Sequence, residues 1–159
     1  MPRIRDTVKH PHRYQQHIFN HLLKAGSQTK FGTHFSFPSF KSYNDFKRTV
    51  PLSEYENLKP WIEKIQQGER DVLWPGKVNW FAKSSGTTAD KSKYIPLTTE
   101  AIRFNHVKGG KDLMAIYYNR FPQSLVFAGK SLIIGGRLLE KFTGAHAGDL
   151  SGVLIHRMS

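Results

Sequence analysis

Cysteine is missing from the chain altogether, which excludes disulfides, thiolate metal sites and a cysteine nucleophile. Acidic residues are scarce beside basic ones, 12 against 24, for a formal net charge of +12. No apolar run approaches membrane-spanning length; the longest clusters, such as Leu125-Val126-Phe127-Ala128, are strand-sized. The N-terminal segment carries Arg3, Arg5, Lys9 and Arg13 without the continuous apolar stretch of a signal peptide. Internal repeats and low-complexity linkers are also lacking. A soluble cytoplasmic protein is expected, and 159 residues with 38% hydrophobic and 13% aromatic content can support one core.

The basic excess invites a nucleic-acid reading. It is concentrated in residues 1–50 and beyond residue 100, whereas 51–100 is balanced. Lys24, Lys30, Lys41, Lys47 and Arg48 are scattered rather than interleaved with aromatics, and neither zinc-finger spacing nor an aromatic RNA-binding signature is present. A basic, non-enzymatic nucleic-acid- or anion-binding module is therefore the alternative reading, and no specific nucleic-acid partner and no membrane partner are expected. His17 and His21 stand four apart, as on one helix face, but lack the intervening Glu of a metalloprotease motif and a third ligand. His10, His12, His34, His106, His146 and His156 are dispersed. No metal site is expected, and no histidine is assigned a catalytic role.

Apolar spacing predicts a helix over 12–25 (Tyr14, Ile18, Leu22 and Ala25, with Gly26 as a stop). A short helix opens at Ser42 with Asp45 and closes at Val50-Pro51. Ser53 and Glu56 suggest a capping box for a helix over 54–67, with Leu58, Trp61, Ile62 and Ile65 on its apolar face and Pro60 near its first turns. Thr98 or Thr99 caps a long helix over 100–119, in which Gly109-Gly110 predicts a kink, a break or close packing. Residues 125–128 and 131–134 read as two strands joined by a Gly129-Lys130 turn. The expected division is a mainly helical cover over 1–78, a hairpin over 79–97, and a helix with strands over 98–159.

That hairpin organises the chain. An apolar run, Trp80-Phe81-Ala82, empties into Lys83-Ser84-Ser85-Gly86-Thr87-Thr88, and a second, Tyr94-Ile95-Pro96-Leu97, follows a linker holding Lys91 and Lys93. Gly86 allows successive N–H groups to converge, and the four hydroxyls and the lysines add donors and positive charge, a loop suited to phosphate oxygens. It is not a Walker loop, because Lys91 occupies the second glycine position, nor a dinucleotide fingerprint, which needs three spaced glycines where only Gly86 stands.

The segment from Phe81 to Thr88 and on through Ser92-Lys93-Tyr94-Ile95-Pro96 resembles the first motif of the auxin-responsive promoter family, the acyl acid–amido synthetases of the adenylate-forming superfamily. Ala25-Gly26-Ser27-Gln28-Thr29-Lys30-Phe31-Gly32 resembles that family's Ala-x-x-Thr-x-Phe-Gly, Val50-Pro51 with Tyr55 its Val-Pro-x-x-x-Tyr, and Gly148-Asp149-Leu150-Ser151 a segment past the loop. The resemblance implies an α/β fold, the N-terminal part of a luciferase-like large domain with helices covering a mixed sheet. It implies ATP and Mg²⁺, a small-molecule carboxylic acid, and an amine or amino acid. It also implies that Ser84, Ser85 and Thr88 bind the ATP phosphates, with Gly86 permitting the turn, Thr87 assisting and Lys93 matching the family's lysine. Ala89 departs from the pattern, standing where many adenylate-forming enzymes have glycine. Family members run to several hundred residues, so the chain is expected to be an N-terminal portion, inactive alone, with the adenine-, ribose- and acyl-binding groups downstream.

Overall fold

The computed structural model describes residues 2–84, 92–130 and 132–158. Helices α1 (Pro2–Lys9), α2 (Pro11–Gly26), α3 (Lys30–His34), α4 (Tyr43–Thr49) and α5 (Tyr55–Gln66) come first, with a 3₁₀ turn at Phe37–Ser39. Strands β1 (Trp80–Lys83) and β2 (Tyr94–Leu97) form the hairpin. A π-helical segment (Ala101–Val107) runs into α6 (Lys108–Arg120), and β3 (Leu138–Phe142), β4 (Ala145–Gly148) and α7 (Leu150–Met158) follow.

The strands make one mixed sheet in the order β2-β1-β4-β3. β1 is antiparallel to β2 and parallel to β4, and β3 is antiparallel to β4. Alternation along β1 sends Phe81 to one face and Ala82 to the other. Phe81, Ala145 and Ala147 pack with Val72, Val78 and with Ile62 and Ile65 of α5. Ala82 and Leu97 pack with Ile102 of the π-helical segment and Val153 of α7. Helices thus cover both faces. Phe81 is fully buried, a contribution of about 1.5–3 kcal/mol.

The cover over the Phe81 face is tied together by aromatic rings. Phe31 of α3 meets Phe35, Phe37 and Trp61, and Phe46 of α4 meets Phe19, Phe37, Phe40 and Tyr43. Lys30 and Phe31 also donate backbone N–H groups to the carbonyls of Asp71 and Val72, at 2.7 and 3.0 Å, which pins α3 to the approach to β1.

Several sequence expectations change. α5 begins one residue later than the Ser53–Glu56 box implies: the Ser53 hydroxyl is occupied by the Pro51 carbonyl, and the Glu54 N–H bonds Asn57 Oδ1 at 2.9 Å. Pro60 lies inside α5, in its second turn, as its place near the first turns implied. The helix after the hairpin is π-helical up to Val107 and α-helical from Lys108, and a Cβ on Gly109 or Gly110 would meet nothing within 4 Å, so close packing is not their role. Residues 125–128 and 132–134 are not strands but turns and irregular backbone. The strands lie later, at β3 and β4, joined across Thr143-Gly144 with Gly144 at φ +77°. β4 buries only the small residues Ala145, Ala147 and Gly148, with His146 exposed, which lets it pair tightly with β1 beneath the helices. Among the described residues no helix is long and apolar enough to cross a membrane.

Candidate functional site

Ala82 of β1 pairs with Gly148 of the parallel β4, so both strands deliver their carboxyl ends to one edge of the sheet. Ligands of α/β sheets bind outside the carboxyl ends of such strands. The Ser84–Lys93 connection leaves β1 at that edge, and Asp149 leads from β4 into α7 beside it.

Ser84 closes the neck of the hairpin twice. Its N–H donates to the Lys93 carbonyl at 2.9 Å, and its Oγ accepts the Lys93 N–H at 3.3 Å. A hydroxyl that accepts a hydrogen bond keeps its own proton to donate, so Ser84 retains donor capacity at the neck.

Because Ser84 and Lys93 form a hydrogen-bonded pair, the next pair inward, Lys83 and Tyr94, is non-hydrogen-bonded, and the N–H and C=O of Tyr94 point out from the edge strand. The same alternation turns the nitrogen of Pro96 outward, so its missing N–H costs no ladder bond. A side chain meets the exposed groups of Tyr94: the Tyr55 hydroxyl accepts its N–H at 2.9 Å and donates to its carbonyl at 3.4 Å. Lys93 Nζ lies 5.6 Å from the centre of the Tyr55 ring, and Lys83 Nζ lies 5.8 Å from that of Tyr94. Cation–π contacts of this kind are worth roughly 0.5–1 kcal/mol at accessible sites, enough to bias the ammonium groups without neutralising them. Tyr55, Lys83, Ser84, Lys93 and Tyr94 are all half-buried.

Of the residues that the sequence nominates for phosphate, the structure brings Ser84 and Lys93 together across the neck. Ser85, Gly86, Thr87 and Thr88, with Ala89 and Lys91, lie outside the described residues. The residue without a role at the sequence level is Tyr55, whose signal was its position behind Val50-Pro51. The described residues of the site are cationic and hydroxylic and do not fit a resident magnesium ion; no described cluster of three or more His, Cys, Asp or Glu could hold a metal.

The other two family-like segments shape backbone. The Thr29 hydroxyl caps α3 by accepting the Gly32 N–H at 3.0 Å while donating to the Gly26 carbonyl at 2.7 Å, which satisfies a buried polar group. Asp149 Oδ2 accepts the Arg137 N–H at 3.2 Å and Ser151 Oγ the Gly136 N–H at 2.9 Å, clipping the approach to β3 onto the start of α7.

Residues 1–148 match the model of the GH3 family N-terminal domain. The chain is 30% identical over 98 residues to the indole-3-acetic acid-amido synthetase GH3.2 of Arabidopsis thaliana, covering 61% of this chain and 18% of that protein. It is 24% identical over 131 residues to the 4-substituted benzoates-glutamate ligase GH3.12 of the same plant, covering 72% and 23%. Among solved structures, GH3.15 acyl acid amido synthetase superposes with a TM-score of 0.82 over 98% of this chain and 28% of its own, at 22% identity, a likeness of fold. The chain thus spans about a fifth of the length of the curated relatives it matches.

Proposed function

The chain belongs to the GH3 family, and from that membership we propose that it supplies the ATP-phosphate-holding N-terminal part of an acyl acid–amido synthetase. In this reading a small carboxylic acid attacks the α-phosphate of ATP, forming an acyl-adenylate and releasing pyrophosphate. The amine of an amino acid then displaces AMP and leaves an amide. Ser84, Ser85 and Thr88 donate to phosphate oxygens, Gly86 lets the backbone turn, Thr87 assists, and Lys93 supplies positive charge. Donors fixed before reaction need no reorganisation as charge shifts toward the leaving pyrophosphate. Magnesium travels with the nucleotide as part of the substrate.

The observation that carries the reading is the doubly bonded neck between Ser84 and Lys93 at the carboxyl edge of β1 and β4, with Lys83 and Lys93 held beside it. The adenine side of the nucleotide is held elsewhere in the family fold, and binding energy from such remote groups drives orientation at the reacting centre. Residues 1–159 should therefore bind Mg-ATP only in the millimolar range, about −4 kcal/mol, more weakly still with Lys93→Met, and should release no pyrophosphate. Calorimetry and a pyrophosphate assay test this. Acyl-adenylate formation by these residues alone would overturn the division of labour, and no heat with ATP or pyrophosphate would overturn the phosphate assignment.

A further inference from the structure

We propose that Tyr55 is a positioning residue of the phosphate site: its hydroxyl bonds the outward N–H and C=O of Tyr94 and fixes the backbone that carries Lys93. The role rests on the phosphate reading above. β2 lies at the end of the described sheet, and the register turns the N–H and C=O of Tyr94, the residue after Lys93, away from β1. A phenol can accept and donate at once, and that of Tyr55 does both toward Tyr94, at 2.9 and 3.4 Å.

The hydroxyl is itself held in place. Tyr55 is the first residue of α5, whose start is set by the Glu54–Asn57 bond and whose Ile62 and Ile65 are anchored in the core beneath Phe81. Its ring meanwhile lies under the Lys93 ammonium. One side chain therefore touches Lys93 at its charge and the adjacent peptide at both polar groups, and links the helical cover to the neck that Ser84 closes from the other side. The Tyr55 hydroxyl is engaged by the Tyr94 backbone, so Tyr55 acts through Lys93.

The test compares the 159-residue chain with Tyr55→Phe and with Tyr117→Phe, which removes a hydroxyl bonded to Ser124 Oγ at 2.9 Å on α6, away from the neck. Mg-pyrophosphate is titrated by NMR, amide exchange is followed at Tyr94, and melting is monitored by circular dichroism. Loss of one hydroxyl partner corresponds to a factor of up to roughly tenfold. Tyr55→Phe should raise the pyrophosphate Kd by roughly five- to tenfold and speed Tyr94 exchange comparably, while Tyr117→Phe leaves both unchanged. Should Tyr55→Phe melt early, site-specific fluorotyrosine at 55, which keeps the ring and weakens the hydroxyl as an acceptor, carries the same readings. An unchanged Kd with faster Tyr94 exchange would overturn the proposal, the hydroxyl then being an edge seal only. Equal weakening by both variants would overturn it as general loosening. A wild-type chain that ignores pyrophosphate would sink the phosphate reading and this role with it, a result distinguishable because the silence precedes any substitution.

Discussion

Gly32 of α3 lies so close to Gly26 at the end of α2 that a Cβ on the former would stand 2.0 Å from the carbonyl oxygen of the latter. No side-chain rotation relieves a clash with backbone. Gly32→Ala should therefore destabilise by about 1–3 kcal/mol, the usual cost of overpacking. Gly109→Ala should do the reverse, because that glycine is in α6 with open space around it and alanine is the better helix former by roughly 0.8–1.0 kcal/mol. Urea midpoints moving in opposite directions would bear out the pair; a neutral Gly32→Ala would show that α2 and α3 do not meet this closely.

This contrast also marks what sequence reasoning can reach. Both glycines look alike in the chain, since a missing Cβ says nothing about which neighbour comes near. Local periodicity placed α2, α4, α5 and the β1–β2 hairpin, because each is decided by residues within a few positions of one another. It misplaced the later strands. Residues 125–128 and 132–134 have the apolar composition of strands, but a strand exists only beside a partner, and the free side of β1 is taken by Ala145–Gly148, a segment without any apolar run. The hydrogen-bonded pairing of Ser84 with Lys93 follows from the hairpin that local sequence places there. The contact of Tyr55 with Tyr94 joins residues 39 apart and follows from no local rule.

Asp45 gives the stability a calculable pH dependence. Its carboxylate accepts the Lys41 and Ser42 N–H groups, both at 2.9 Å, and the Ser42 hydroxyl at 3.0 Å. The Lys41 backbone bond first, then the Ser42 side chain, hold its pKa below the ordinary value. In the unfolded chain the group binds a proton near pH 3.9, whereas in the folded chain it does so only at lower pH. Near and below pH 4 the unfolded state therefore holds more protons, and stability falls as pH falls. The gap in Tm between wild type and Asp45→Asn should be full at pH 6 and close as the pH drops below about 4. A gap constant from pH 6 to pH 2 would refute the assignment.

Ser84 has two separable contributions at the neck. Its backbone N–H bonds the Lys93 carbonyl whatever the side chain, whereas its hydroxyl meets the Lys93 N–H and, in the proposed function, a phosphate oxygen. Ser84→Ala should keep the β1–β2 hairpin while weakening pyrophosphate binding by about tenfold, the lower end for one hydrogen bond to a charged group. Ser84→Thr should recover most of it, since the hydroxyl is restored. NMR titration of the three proteins decides; equal affinities would remove the Ser84 hydroxyl from phosphate binding.

The segment preceding β3 presents Leu132, Ile133 and Ile134 at 89, 73 and 87% exposure, close in sequence to exposed Leu125, Val126 and Phe127. So many large apolar side chains in water promote association, while each contributes little to the fold it projects from. The two effects separate under substitution. Ile133→Ser should change unfolding free energy by no more than about 0.5 kcal/mol, as for a surface position. It should also raise the concentration at which light scattering first detects aggregates. Phe81→Ala, at a fully buried position between α5 and the sheet, should cost about 3–5 kcal/mol by the same denaturant titration. If Ile133→Ser instead destabilised the chain on the scale of Phe81→Ala, residue 133 would have to be packed in solution, and the exposed segment would be an incorrect description of this part of the fold.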